Sequence, residues 1–518
     1  MATILTITET ILLGGANRAF IAGASHSARI SGNCYQLLSL TPESDDPAAC
    51  SFAEQNGIRV VRAHSEDELN ALIAGADIVL LNWWSSPDMG RFMQRHLPEC
   101  RLAAWMHVGG HTDPQRVPDS FVEYVDLAIA CSPYTAECDA FNNLSVDTRL
   151  EKTAMVYAPT DRTRLHDFKP IPHHGFNVGY IGTVHFLKMH QNYVRMSAVV
   201  AVPESRFLVF GSGGYQPLLK AQARELGAES RFVFHGPTEN IAEAIGLFDV
   251  YGYPLCEDTY AACELNLQEV MYCGIVPVVF PHGGCKRLIV DNFTGFIVKS
   301  EREYAQAIEY LYHHPDERRR MGTNAAEYAR QIFSPERSGA ELNALWNRLL
   351  LKPKTKKQPL RSVLHIPFSE RSSGVAQFLE TLGPTRARFQ ATLGCGDYIP
   401  LFNADAEIMN SSPLLKHGGI LRYASAYPTD PYLNFWAALS LWSEQVRLGD
   451  ACIKFFEAIR NGFPHWRPWW YLAQIARNLG DAGLAARALE EVVRLAPEFP
   501  QARIAYAQLV QPPVSSGT

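Results

Sequence analysis

Glu264 and Glu269 stand five residues apart in the stretch CELNLQEVMYCG, and both residue types can do chemistry there. The spacing predicts a helix over roughly 264–273, entered from a loop at 254–263 that follows an apolar run. A helix start just past a strand's carboxyl end is where parallel sheets bind ligands. The backbone N–H groups of Leu265 and Asn266 lack intrahelical acceptors and can hold a phosphate. Glu269, one and a half turns in, can accept hydrogen bonds from the vicinal hydroxyls of a ribose. Glu264 also reads as a helix-start carboxylate favoured by the dipole. Lys188 lies six residues beyond Gly182 in VGYIGTVHFLKMH, within reach of a diphosphate whose developing charge it would neutralise. A plain surface lysine is the competing reading.

Further candidates lie in the first third of the chain. Gly14-Gly15 in LLGGANRAF precede a helical segment, as a ligand loop or as an ordinary turn. His107 and His111 in AWMHVGGHTDP follow a strand and point to polar contacts in a cleft or to structural hydrogen bonds. Zinc is disfavoured because Gly109-Gly110 interrupt any helix presenting both rings. Asn82-Trp83-Trp84 fit an acceptor pocket and aromatic packing equally well. FGSGGYQP at 210–217 has Gln at the sixth position of GxGxxG, which favours a tight strand-to-helix turn.

The elements that must position these residues are readable. ATILTIT, ADIVLLNWW, RLAAWMHV and VDLAIACS alternate with helical patterns in the first ~165 residues, as a doubly wound parallel sheet requires. A second set runs through FNVGYIG, RFLVFG, RFVFHG, FDVYGYP and IVPVVF, each short and apolar as buried parallel strands are. The polar segment 161–175 reads as a linker. Two Rossmann-like α/β domains follow, 1–165 and 170–335, facing a cleft. Ser334 and Pro335 open a closing helix over 336–351. KPKTKKQP, 352–359, reads as a solvated linker, and 360–428 receives no assignment.

The 518 residues suggest about three to four domains. A net charge of −6 supplies no global field for nucleic acid, and no apolar run reaches membrane-spanning length. MATILTITETILL lacks a basic n-region and reads as a first strand. The 11 cysteines, Cys395 among them, form no CxxC pair and are expected as buried free thiols in a reducing cytosol. The protein is expected in the cytoplasm, at most peripheral at the inner membrane face.

LQEVMYCGIVPVV followed by HGG…IVDNFTGFIV resembles the retaining GT-B glycosyltransferases of the family-4 type over about residues 1–350. The resemblance implies an α/β GT-B fold and transfer of a hexosyl group from a nucleotide diphosphate donor to a glycan or protein hydroxyl. It implies that Glu269 binds the ribose and that the Gly14-Gly15 amides approach the diphosphate. It implies further that Gly182, Thr183 and Lys188 clamp the phosphates and that His107 bonds the donor sugar. The family's first glutamate falls at Ala261, and its usual Arg at Thr183. Glu264 stands where the family has Gly, as a further contact to the donor, with Glu257 or Asp258 as substitutes from the loop. No metal and no cofactor beyond the donor are implied. A 2-epimerase of the same fold and a non-catalytic scaffold are the rival readings.

NFWAALSLWSEQVRLGD and WWYLAQIARNLGD place two Leu-Gly-Asp triplets 31 residues apart. Residues 429–512 resemble tetratricopeptide repeats, which implies an α-helical region holding the acceptor or a partner. Trp466, Trp469 and Trp470 are its candidate aromatic anchors.

Overall fold

A computed structural model describes residues 1–360, 373–394, 396–445 and 447–510. Cys395 lies outside the described residues. The chain divides into two compact units, Met1–Arg361 and Ser362–Thr518.

The first unit holds two parallel sheets. In chain order the first contributes β1 (Thr3–Thr8), β2 (Cys34–Ser39), β3 (Arg59–Val61) and β4 (Ile78–Trp83); after the short β5 (Leu97–Cys100) come β6 (Leu102–Met106), β7 (Leu127–Ala130) and β8 (Thr153–Met155). Its order, β3-β2-β1-β4-β6-β7-β8, reverses between β1 and β4. Side chains alternate between faces. Leu5, Ile7, Val79 and Leu81 therefore join one core cluster, and Ile4, Ile78 and Leu80 the opposite one. Burial on both faces explains why these strands are continuously apolar.

The second sheet comprises β9 (Phe176–Ile181), β10 (Ser205–Phe210), β11 (Phe232–Gly236), β12 (Val250–Tyr253), β13 (Val276–Val279) and β14 (Phe296–Ile297). Its order, β11-β10-β9-β12-β13-β14, reverses between β9 and β12. β1, β4, β6, β7 and β9 to β13 fall where the apolar runs put them, while β2, β3, β8 and β14 lie outside those runs. Both candidate loops after β1 and β9 thus leave switch points, where parallel sheets open a crevice.

The helix Pro335–Leu350, capped by Ser334, returns to the first sheet's side. It packs on the helix Gly15–Ser31, where a Cβ on Gly339 would meet the Ser27 nitrogen at 2.8 Å. Trp346 Nε1 seals the contact by donating to Tyr35 Oη over 2.7 Å.

Two expectations change here. Residues 352–359 are not a solvated linker: β15 (Thr355–Lys357) pairs antiparallel with β5, and Lys357 lies 2.7 Å from Asp126. The basic side chain gains a carboxylate partner at the sheet's edge, which a composition reading cannot foresee. Nor is 161–175 a polar linker throughout, because Asp161 is buried and Arg162–Leu165 form a 3-10 turn against the body. Cys34 is exposed, so the thiols are not uniformly buried.

The second unit is helical. Ser373–Glu380, Arg386–Ala391, Tyr398–Met409 and Leu421–Ala426 occupy the stretch without a sequence assignment. Pro431–Ser443 packs on Leu448–Arg460, and Arg467–Asn478 on Ala482–Leu495, with Pro500–Val510 closing the series. Ala485 and Ala488 are fully buried at the second pair's crossing, where small side chains let helices approach. Trp466 is a core residue and no surface anchor: its ring meets Phe499 at 4.6 Å and Phe402 at 5.7 Å. No helix among the described residues is long and apolar enough to cross a membrane.

Candidate functional site

Lys188 is placed by a loop tied down on both sides. On one side the Val184 amide donates to Ser212 O, and the glycine at 211 lets the chains touch. A Cβ on Gly211 would lie 1.8 Å from Gly182 O, so only glycine permits this approach. On the other side His190 N donates to Pro254 O, and Cys256 N to Lys188 O. Lys188 Nζ then lies 2.8 Å from Glu264 Oε2, with the Tyr260 ring 5.4 Å away. Burial opposes the lysine's charge, but Glu264 and Tyr260 outweigh it and hold its pKa above the ordinary value.

Glu264 precedes the helix Leu265–Tyr272 in the N-cap position, yet its side chain caps no helix amide. It turns to Lys188 and accepts a 2.6 Å hydrogen bond from Tyr253 Oη. The dipole reading does not account for that orientation. Beneath it, Tyr180, Tyr251 and Tyr253 pack with ring centroids 5.1–5.3 Å apart. Burial raises all three phenols, so they stay neutral donors. Tyr180 Oη donates to Thr183 O and Tyr251 Oη to Ile181 O, fixing the end of β9. Asn266 Nδ2 donates to Ile181 O and, over 3.0 Å, to Tyr251 Oη, so the side chain braces the helix start while the backbone amides of Leu265 and Asn266 lead the helix.

Glu269 faces another way. It is 1% exposed, and Arg164 Nη1 donates to its Oε1 over 2.6 Å. Burial, opposed by Arg164, raises its pKa to about 7. Asp161 beside it pairs with Arg18 at 2.9 Å, and Gln268 accepts from Thr160 Oγ1 at 2.9 Å. The crossing segment between the two sheets is thus bound to the helix that begins at Lys188's partner.

The first sheet supplies the opposite wall. Gly14 precedes the helix Gly15–Ser31, and a Cβ on Gly15 would lie 3.8 Å from Leu265 Cδ1. Farther along, Arg287 and Glu137 pair across the cleft at 2.8 Å. Ala261 is buried, with its carbonyl accepting from Gly284 N and its Cβ 3.0 Å from one built on Gly283. Glu257 and Asp258 are exposed on the loop. His107 stacks on Trp105 at 5.0 Å, and burial lowers its pKa to about 3, so it is neutral. His111 Nε2 meets Tyr134 O at 2.8 Å, a structural contact. Trp84 Nε1 donates to Glu9 Oε2, and Trp83 stacks on Phe121.

The structure therefore gathers Gly14, Gly15, Gly182, Thr183, Lys188, Glu264, Leu265 and Asn266 about one cleft. Among the described residues, neither Glu269 nor His107 hydrogen-bonds with the Lys188–Glu264–Tyr253 group. Tyr253, Arg164 and Arg18 escaped sequence reasoning. Tyr253 reads as one more apolar strand residue, and the two arginines reveal their roles only through partners more than a hundred residues away.

Residues 161–328 match the family model described as "Glycosyl transferases group 1". The second half of the first unit is thus similar to that family. The putative glycosyltransferase EpsD of Bacillus subtilis is 24% identical over 194 residues, 37% of this chain and 50% of EpsD. The chain thus spans about half the length of that relative. Anabaena HepE, solved with UDP and glucose, superposes with a TM-score of 0.53 at 17% identity, covering 67% of this chain and all of that one. A Rickettsia africae glycosyltransferase gives 0.53 at 15% identity over 68% of this chain and 99% of its own. These likenesses establish the GT-B arrangement of the two sheets, with the helical region following.

Proposed function

We propose that the chain is a retaining glycosyltransferase of the family-4 type, moving a hexosyl group from a nucleotide diphosphate to a glycan or protein hydroxyl. The observation that carries this reading is Lys188, charged and largely buried, set against the start of the helix Leu265–Tyr272 and opposite Gly14-Gly15. A preorganised cation and free helix amides stabilise charge that develops on a departing diphosphate. Gly182 and Thr183 line the phosphate path. Glu269 receives the ribose, sharing its carboxylate with Arg164. His107, neutral, offers a hydrogen bond to the donor sugar. The leaving phosphate takes the acceptor's proton, so no separate base is assigned, and no metal or further cofactor is invoked. The tetratricopeptide-like helices of 429–512 hold the acceptor. Free thiols favour a cytoplasmic setting.

UDP is the first nucleotide to try, because HepE was solved with it. A thermal-shift screen of UDP-, GDP-, ADP- and dTDP-sugars tests the reading. Ligand at 100 times its dissociation constant stabilises by about 2.7 kcal/mol. Incubation of the best donor with an acceptor panel should yield a product of unchanged anomeric configuration. A new epimer without acceptor would instead mark a 2-epimerase, and no shift with any donor would leave a scaffold.

A further inference from the structure

Glu264 makes two short contacts in the free protein, 2.8 Å to Lys188 Nζ and 2.6 Å from Tyr253 Oη, while only 8% of its side chain is exposed. The groups facing it come from every surrounding element. Tyr180 stands on β9, Lys188 on the loop behind it, Tyr251 and Tyr253 on β12, Cys263 beside it, and Cys285 on the helix Cys285–Leu288. Burial keeps those phenols and the Cys263 and Cys285 thiols neutral. Among these described neighbours, Lys188 is the one cation.

A diphosphate that reaches Lys188 arrives beside this carboxylate, so two anions then share one side-chain cation in a largely dry site. Like charges so placed cannot both persist, and the weaker acid takes up a proton. We propose that Glu264 is a positioning residue for Lys188: it holds the ammonium in place while the site is empty, and it yields the cation to the diphosphate by binding one proton. The inference rests on the nucleotide-sugar reading of this cleft. Tyr253 supports the exchange, because its hydroxyl can donate to the carboxylate before uptake and accept from the carboxylic acid after it.

The test is calorimetric titration of the full chain near pH 7 with UDP-glucose, whose diphosphate is esterified at both ends and carries no group titrating there, repeated in buffers of different ionisation enthalpy. The observed heat should change with the buffer in the sense of about one proton bound per nucleotide, and affinity should fall about tenfold per pH unit where uptake is complete. Glu264→Gln should lose that buffer dependence. The esterified diphosphate takes up no proton near pH 7, so the difference between the two proteins reports Glu264. Wild-type binding without proton uptake, or the same uptake in Glu264→Gln, overturns the proposal while leaving the nucleotide reading intact. Failure of UDP-, GDP-, ADP- and dTDP-sugars alike to bind the wild type overturns both. Absence of uptake in the wild type overturns the proposal even if the variant does not fold.

Discussion

Arg164 Nη1 donates to Glu269 Oε1 across 2.6 Å, joining the segment that crosses between the sheets to the helix that begins at Glu264. The carboxylate is 1% exposed and the guanidinium 21%, so the pair is shielded from solvent on one side only. Removing the cation alone strands a buried negative charge. Arg164→Ala should therefore destabilise the first unit by about 3–5 kcal/mol, at the lower end because of Arg164's partial exposure. Glu269→Gln in the same chain should restore most of the loss. Urea unfolding of the two variants measures both.

The same carboxylate gives the first unit a pH dependence. Folded Glu269 holds its proton up to about pH 7, against an ordinary value of 4.5. Between those values the folded state binds more protons than the unfolded one, so stability is greatest below 4.5 and declines as pH rises toward 7. The slope reaches about 1.4 kcal/mol per pH unit. In Glu269→Gln the denaturant midpoint should vary less over that interval; an identical profile in both proteins would count against the shifted carboxyl.

Sequence patterning recovered the sheets because period-2 burial on two faces leaves long apolar runs, as at Ile78–Trp83 and Phe176–Ile181. It singled out Lys188 and Glu264 because each stands at a fixed offset from a strand end. It did not recover their mutual contact, since neither residue type nor spacing encodes which way a side chain turns. Arg164 and Lys357 were read as solvated for the same reason: charge-rich segments satisfy a linker composition whether or not their charges find partners.

Lys188→Ala should lower kcat by on the order of 10²–10³ with the reacting sugar nucleotide. Stranding the buried Glu264 should lower stability, but the carboxylate keeps its bond from Tyr253 Oη at 2.6 Å and the chain should still fold. Steady-state transfer with matched circular dichroism checks this, and near-wild-type turnover would remove Lys188 from the mechanism.

Gly211→Ala should cost far more than Gly214→Ala. At Gly211 a Cβ would meet Gly182 O at 1.8 Å with φ at +137, whereas at Gly214 nothing lies within 4 Å at φ +84. The first substitution carries a conformational strain of its own and must also displace the backbone that carries Gly182 and Lys188, which adds roughly 1–3 kcal/mol of overpacking and should abolish nucleotide binding. The second carries only the left-handed conformational cost, about 1–2 kcal/mol. Thermal melts with and without UDP separate the two outcomes.

Where the chain is cut decides whether the first unit can be studied by itself. Truncation after residue 428 passes through one hydrophobic core, because Val375, Phe378, Phe389, Ile408 and Tyr423 belong to the same cluster as Phe435, Trp436 and Leu472. Such a protein would expose the first set and aggregate. The cores of the first unit draw their buried residues from Ala2 to Leu349, with Leu360 packed beside them. β15 is paired with β5, so the sequence through Arg361 must be retained. A chain ending at Arg361 should fold, melt cooperatively and bind UDP with the affinity of the full-length protein. Transfer to a macromolecular acceptor should fall if the helical unit holds that acceptor. Unchanged transfer would deny the helices that role, and failure of the 1–361 chain to fold would show that the first unit depends on residues beyond it.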